Sequence, residues 1–227
     1  MDKRLEPKLW TDASAPSEGQ DRCVVLVLHG GKVASHASSR PWHLSGLRMR
    51  QFTWALRRAG RSEGIVVQQL QYRYRGWNGV ERSPVRDARW ALIRIHREYP
   101  GVRVVVVGHS MGGRVAAAIA DDPLVDGLVA LAPWWPDGGE LAGIGVCQRI
   151  RVLHGVSDSW TDASKARTEV VHAVGRGVDA EFVDMPGGHF MIRRSHMWVR
   201  TVKSAVLAMA LNESSHYVGS RRAGIEK

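Results

Sequence analysis

Two kinds of apolar pattern alternate along the chain: unbroken aliphatic runs, and segments where apolar residues recur every three or four positions. Residues 104–107 are four consecutive valines, and residues 23–28 read C-V-V-L-V-L. Neither run shows the period-2 alternation of a strand with one wet face. Both therefore predict strands buried on both faces, as in a parallel sheet with helices above and below. Further strands are expected over residues 64–72, 126–132, 150–158 and 179–185. Between them, Leu44, Leu47, Phe52, Ala55, Leu56 and Ala59 mark the stripe of a helix that Gly60 ends. Val85, Ala88, Ala91, Leu92, Ile95 and Tyr99 mark a second, starting near Pro84 and stopping at Pro100. The V-A-A-A-I-A run after Gly113, residues 161–174, and a last segment using Ile192, Val199, Val202, Val206 and Met209 supply three more. Six strands alternating with helices predict a three-layer α/β fold, a right-handed, doubly wound and mostly parallel sheet with helices on both faces.

No repeat or linker divides the 227 residues, so one domain is expected over residues 21–211, with a flexible N-terminal arm (1–20, containing Pro7 and Pro16) and a flexible C-terminal tail (212–227). The start of the chain has charges but no apolar h-region, and no aliphatic run is long enough to cross a bilayer. The expectation is a soluble, cytoplasmic protein without a membrane span. Cys23 and Cys147 lack metal spacing and read as free thiols of a reducing compartment. The net charge of +10 raises nucleic acid as a partner. The arginines, however, are scattered, with no run longer than pairs such as Arg57-Arg58, and no nucleic-acid partner is expected.

The chemistry centres on residues 102–113, V-R-V-V-V-V-G-H-S-M-G-G. A buried strand must turn here into a helix within a few residues. Gly108 and Gly112 flank Ser110 at i−2 and i+2, where a Cβ would collide as the chain folds back, so the G-x-S-x-G spacing is a steric requirement of the turn. The motif, with its valine strand before and alanine-rich helix after, resembles the nucleophile elbow of the α/β-hydrolase superfamily. In that resemblance Ser110 is the nucleophile. The segment His29-Gly30-Gly31-Lys32, after the strand beside the elbow strand, looks like the other half of an oxyanion hole. The resemblance implies that the amides of Met111 and Gly31 bind the oxyanion, with Lys32 offering an alternative amide and a charge at the pocket rim. The family's first antiparallel hairpin has no counterpart in the pattern, which implies a reduced N-terminal edge.

A serine hydroxyl needs a base, and the base needs a partner to fix its tautomer. The carboxyl ends of parallel strands share one edge, so residues just past distant strands can meet there. Ser110, Asp158 and His189 satisfy that rule, in the order α/β-hydrolases show. His189 follows the last strand, whereas His154 lies within a strand pattern and His172 and His196 in helical runs. Asp158 has rivals in Asp162, one helical turn on, and Asp137, after the preceding strand. His29 and His109 are read as orienting or packing groups, and Asp184 as a solvent-facing strand end.

The resemblance implies a serine hydrolase that cleaves carboxylic esters through an acyl-enzyme, with thioesterase or lipase-like activity as the near neighbour. A non-catalytic ligand-binding protein on the same fold is the alternative class. The expected partner is a small-molecule ester or thioester, and no metal or other cofactor is implied. Residues 133–149 are too few for a helical cap, so an open site is expected, with Trp134 and Trp135 as acyl-pocket or packing residues.

Overall fold

In the computed structural model, which describes residues 5–11 and 22–211, seven strands form one sheet in the order β1-β3-β2-β4-β5-β6-β7. These are β1 (Lys8–Trp10), β2 (Cys23–Leu28), β3 (Ile65–Gln71), β4 (Arg103–His109), β5 (Val125–Leu131), β6 (Arg149–Gly155) and β7 (Asp179–Met185). All neighbours are parallel except β1, which runs antiparallel to β3 with Leu9 opposite Leu70. The α/β architecture read from the pattern is present. Two expectations at the N-terminal edge are corrected: residues 8–10 form a strand instead of lying in a loose arm, and the strand count rises from six to seven. The tail expected over residues 212–227 lies outside the described residues.

The unbroken apolar runs divide by alternation between two cores. Val24, Leu26, Leu28, Val104 and Val106 face one side, where they meet α2 (Ser83–Glu98), α3 (Met111–Ala118) and α4 (Ala163–Gly175). Cys23, Val25, Val27, Val105 and Val107 face the other, against α1 (Leu44–Gly60) and α5 (Ser195–Ala210). A strand covered on both faces has no wet side, hence the missing period of two.

Helix phases differ in detail from the expected stripes. In α1 the buried set is Met49, Phe52, Thr53, Leu56 and Gly60, while Leu44 at its start is exposed. Thr53 is accommodated because its hydroxyl lies 3.1 Å from the Met49 carbonyl and 2.8 Å from Gln69 Oε1. The chain continues past Gly60 into a 3₁₀ turn, Arg61–Glu63, and reverses at Gly64, whose φ of 67° suits glycine. Ile192 precedes α5 and is exposed, so it does not share in covering the sheet. No helix among the described residues is long and apolar enough to cross a membrane. Cys23 is buried, Cys147 is exposed, and both are free.

Candidate active site

The central strand β4 ends at the serine. A Cβ on Gly108 would stand 2.2 Å from the Gly112 carbonyl oxygen, and one on Gly112 would stand 2.5 Å from that of Leu28. Both obstacles are backbone, so the tight turn admits only glycine at these two places. Ser110 itself sits at φ 55°, ψ −117°, a strained conformation for a residue with a side chain. It is held there from both sides: its N–H donates to the Leu131 carbonyl (3.0 Å), and its own carbonyl accepts from Gly113 (3.0 Å) and Trp134 (3.0 Å). The side chain stands at the carboxyl edge of the sheet, where helix α3 begins.

Loops after β6 and β7 reach the same edge. His189 Nε2 lies 3.0 Å from Ser110 Oγ, and His189 Nδ1 lies 2.9 Å from Asp158 Oδ2. The three residues chosen from their positions after distant strands are therefore joined in one chain of hydrogen bonds. A carboxylate can only accept, so Nδ1 carries the proton and Nε2 presents its lone pair to the serine hydroxyl. The rival aspartates are engaged elsewhere. Asp162 caps α4 through the amides of Ser164 and Lys165, and Asp137 is an exposed partner of Arg114. His154 lies in β6, and His172 and His196 lie in α4 and α5.

Asp158 has a fully buried side chain with every acceptor position occupied. Oδ1 accepts the amides of Trp160 (2.7 Å) and Thr161 (3.1 Å), while Oδ2 accepts the Thr161 hydroxyl (2.9 Å) and His189 Nδ1. Burial alone would push the carboxyl pKa up. The hydrogen bonds from His189, Trp160 and Thr161 outweigh it and bring the pKa down to about 2. Thr161 and Trp160 are the functional neighbours that sequence reasoning missed. The signal was D-S-W-T: an aspartate whose side chain binds amides two and three residues on forms an Asx turn, which holds the carboxylate before it meets the histidine. Trp160, itself exposed, is nearly parallel to the His189 ring at a centroid distance of 6.0 Å, and Phe190 packs edge-on at 5.3 Å.

Two further histidines brace the site. His109 Nε2 donates to the His189 carbonyl at 3.0 Å and fixes the loop that carries the imidazole. His29 Nδ1 donates to the Gly30 carbonyl at 2.7 Å. Burial lowers both, His29 to about 4 and His109, also repelled by His189, to about 3. The sign of the consequence is definite. The unfolded chain takes up these protons below about pH 6.5, whereas the folded chain resists until pH approaches 4 and 3. Their stabilising effect is complete above the unfolded value and drains away as pH falls through this window. Stability is expected to fall as pH drops from 7.5 to 4.5, read by urea unfolding, with His154, also lowered by burial, contributing in the same direction. Asp158, ionised to about pH 2, adds nothing over that range, and an unchanged midpoint would contradict the assignment.

The glycine loop after β2 packs directly against the elbow. A Cβ on Gly30 would come within 3.3 Å of Ser110 Cβ, and one on Gly31 would strike the Met111 side chain at 2.4 Å. Met111 is the first residue of α3, so its N–H has no acceptor within the helix. The Lys32 amide, the alternative donor, is already committed to the Arg75 carbonyl at 2.8 Å. Trp135 is buried with its Nε1 3.3 Å from the Gly113 carbonyl, and Trp134 packs edge-on against Trp77. The pair therefore packs the base of the elbow helix. No helix occurs between β5 and β6, where a cap would be inserted.

Solved structures share this architecture. An alpha-beta serine hydrolase homologue from Coxiella burnetii superposes with a TM-score of 0.65 at 16% identity, covering 88% of this chain and 91% of its own. The Xanthomonas campestris protein XC6422, described as an a/b serine hydrolase without lid, gives 0.64 at 17% identity with 88% of each chain covered. The Pyrococcus furiosus esterase Pf2001 gives 0.65 at 15% identity over 90% of this chain and 84% of that one. At such identities the likeness speaks for the fold. The sequence itself matches the model of the alpha/beta hydrolase family over residues 24–219, most of its length, and the chain belongs to that family.

Proposed function

We propose that the protein is a serine hydrolase of carboxylic esters, with Ser110 as nucleophile, His189 as general base and acid, and Asp158 as the group that orients and stabilises the imidazole. The observation that carries this reading is the unbroken path from Ser110 Oγ to His189 Nε2 (3.0 Å) and from Nδ1 to Asp158 (2.9 Å). A hydroxyl this close to an oriented, unprotonated nitrogen can lose its proton as it attacks.

In the first half-reaction Ser110 Oγ bonds to the ester carbonyl carbon, its proton passes to His189 Nε2, and the carbonyl π pair moves onto oxygen. The resulting oxyanion faces the amides of Met111 and Gly31. Removing one such donor costs about 2.7–4 kcal/mol in enzymes where it has been measured, so the glycine loop matters nearly as much as the triad. Collapse expels the alkoxide, which takes the proton from His189 and leaves an acyl-Ser110. Water, deprotonated by the same nitrogen, repeats the sequence and restores the serine. A thioester differs only in its leaving group and is open to the same steps. The test is release of 4-nitrophenolate from 4-nitrophenyl acetate and butyrate. Turnover of at least one is expected, and stable absence of release from both would overturn the proposal.

A further inference from the structure

Beside the glycine loop lies a cavity of about 290 Å³, lined by His29, Gly30, Gly31, Trp42 and His43 and by two cationic residues, Lys32 and Arg75. Its size is near the lower limit of small-molecule sites, about 300 Å³. It is linked to the elbow through Gly30, which lines it and at which a Cβ would come within 3.3 Å of Ser110 Cβ. No carboxylate lines it. Elsewhere several arginines do meet a carboxylate: Arg73 with Asp87, Arg89 with Asp121, Arg103 with Asp126, and Arg167 with Asp184. Among the described residues, neither Lys32 nor Arg75 has an acidic partner, and Arg40, stacked over the Trp42 ring at 5.9 Å, has none either. The nearest acid in sequence, Glu81, is turned to His36 and Ser83.

The backbone that carries the cations is fixed. The Lys32 amide donates to the Arg75 carbonyl (2.8 Å), Trp77 donates to the Lys32 carbonyl (2.9 Å), and Gly76 donates to Ser35 (3.0 Å), so the two segments that carry them are stitched together. His43 senses the field: burial first, then the Arg75 and Arg40 charges, hold its pKa below the ordinary histidine range. An unpaired cationic wall in a partly enclosed cleft focuses a positive potential on whatever enters.

We infer that this cavity binds an anionic group of the substrate, so that the preferred ester carries a carboxylate a few bonds from the scissile carbonyl. The inference rests on the hydrolase reading above for the word substrate, but the anion site itself is testable without turnover. Apolar and neutral esters fill the same space without using Arg75 or Lys32. An anionic ester gains a charge-assisted contact with a donor that no protein carboxylate already occupies.

The experiment compares matched pairs. Mono-4-nitrophenyl glutarate against 4-nitrophenyl pentanoate places the carboxylate on the acyl side; 4-carboxyphenyl acetate against 4-acetylphenyl acetate places it on the alcohol side. In at least one pair kcat/KM is expected to favour the anion by tenfold or more at low salt. That ratio should shrink with added sodium chloride and fall at least fivefold in Arg75→Gln, with Lys32→Gln as the second variant should the first fail to fold. Ratios near one in both pairs, or a preference indifferent to both substitutions, would overturn the inference while leaving the hydrolase reading intact. Should no ester be cleaved, titration calorimetry with glutarate decides separately. Binding weakened at least fivefold by Arg75→Gln sustains the anion site although the hydrolase reading has failed, and absence of binding removes both.

Discussion

Replacing Ser110 by alanine is expected to lower kcat for 4-nitrophenyl butyrate by roughly four to six orders of magnitude while leaving the protein folded. The size follows from the unit character of the site. Without Oγ there is no covalent route, and the base and oxyanion donors are left to act on water alone. The fold should tolerate the change because alanine keeps the Cβ and the backbone at φ 55° remains pinned through Leu131, Gly113 and Trp134. What is lost from the ground state is one hydrogen bond to His189, worth about 1 kcal/mol. Activity within tenfold of the wild type, with an unchanged thermal midpoint, would place the chemistry elsewhere.

Asp158→Asn should be nearly as damaging, with a fall of about 10⁴ in kcat. The reason lies in the Asx turn. Oδ1 accepts two backbone amides, so an asparagine would keep its carbonyl there and turn its NH₂ toward His189 and Thr161. An amide NH₂ only donates, so His189 Nδ1 would have to accept, and the ring proton would move to Nε2, the atom facing Ser110. The base would be present in the wrong tautomer. The same substitution at Asp162 or Asp137 should change kcat by less than about threefold, since one caps a helix and the other pairs with Arg114 at the surface. Equal losses at all three aspartates would remove the distinction drawn between them.

Much of this arrangement was legible in the chain because it depends on local rules. Continuous valines mark a strand covered on both faces, and the glycines at 108 and 112 are demanded by backbone contacts of 2.2 and 2.5 Å. The order of Ser110, Asp158 and His189 along the sheet edge needs only the knowledge that parallel strands end together. Features set by partners distant in sequence were hidden. β1 has three residues and owes its existence to the exposed edge of β3, 61 positions away at the Trp10–Gln71 bond. In α1 Phe52 and Leu56 of the expected stripe are buried, but Thr53 joins them only through Gln69 on β3, while Leu44, apolar by type, lines the cavity beside the glycine loop. Thr161 reads in sequence as the start of a helix; its hydroxyl acquires meaning only once Asp158 and His154 are seen on either side of it, at 2.9 and 3.2 Å.

The net charge of +10 likewise changes meaning in three dimensions. Some arginines scattered in sequence meet aspartates across neighbouring elements, as Arg73 does Asp87 and Arg151 does Asp179. Within the described residues Arg75 and Lys32 are among the cations without an acidic partner, and both line the cavity that includes the glycine loop.

The central claim is that acyl transfer runs through one hydroxyl. Its most direct measurement is peptide mass spectrometry of the protein mixed with 4-nitrophenyl butyrate and quenched in acid within the first turnover. The account predicts a single butyryl group on the peptide containing Ser110, absent from His189→Ala under the same conditions. A butyryl group on another residue, or rapid turnover with Ser110 never modified, would contradict it.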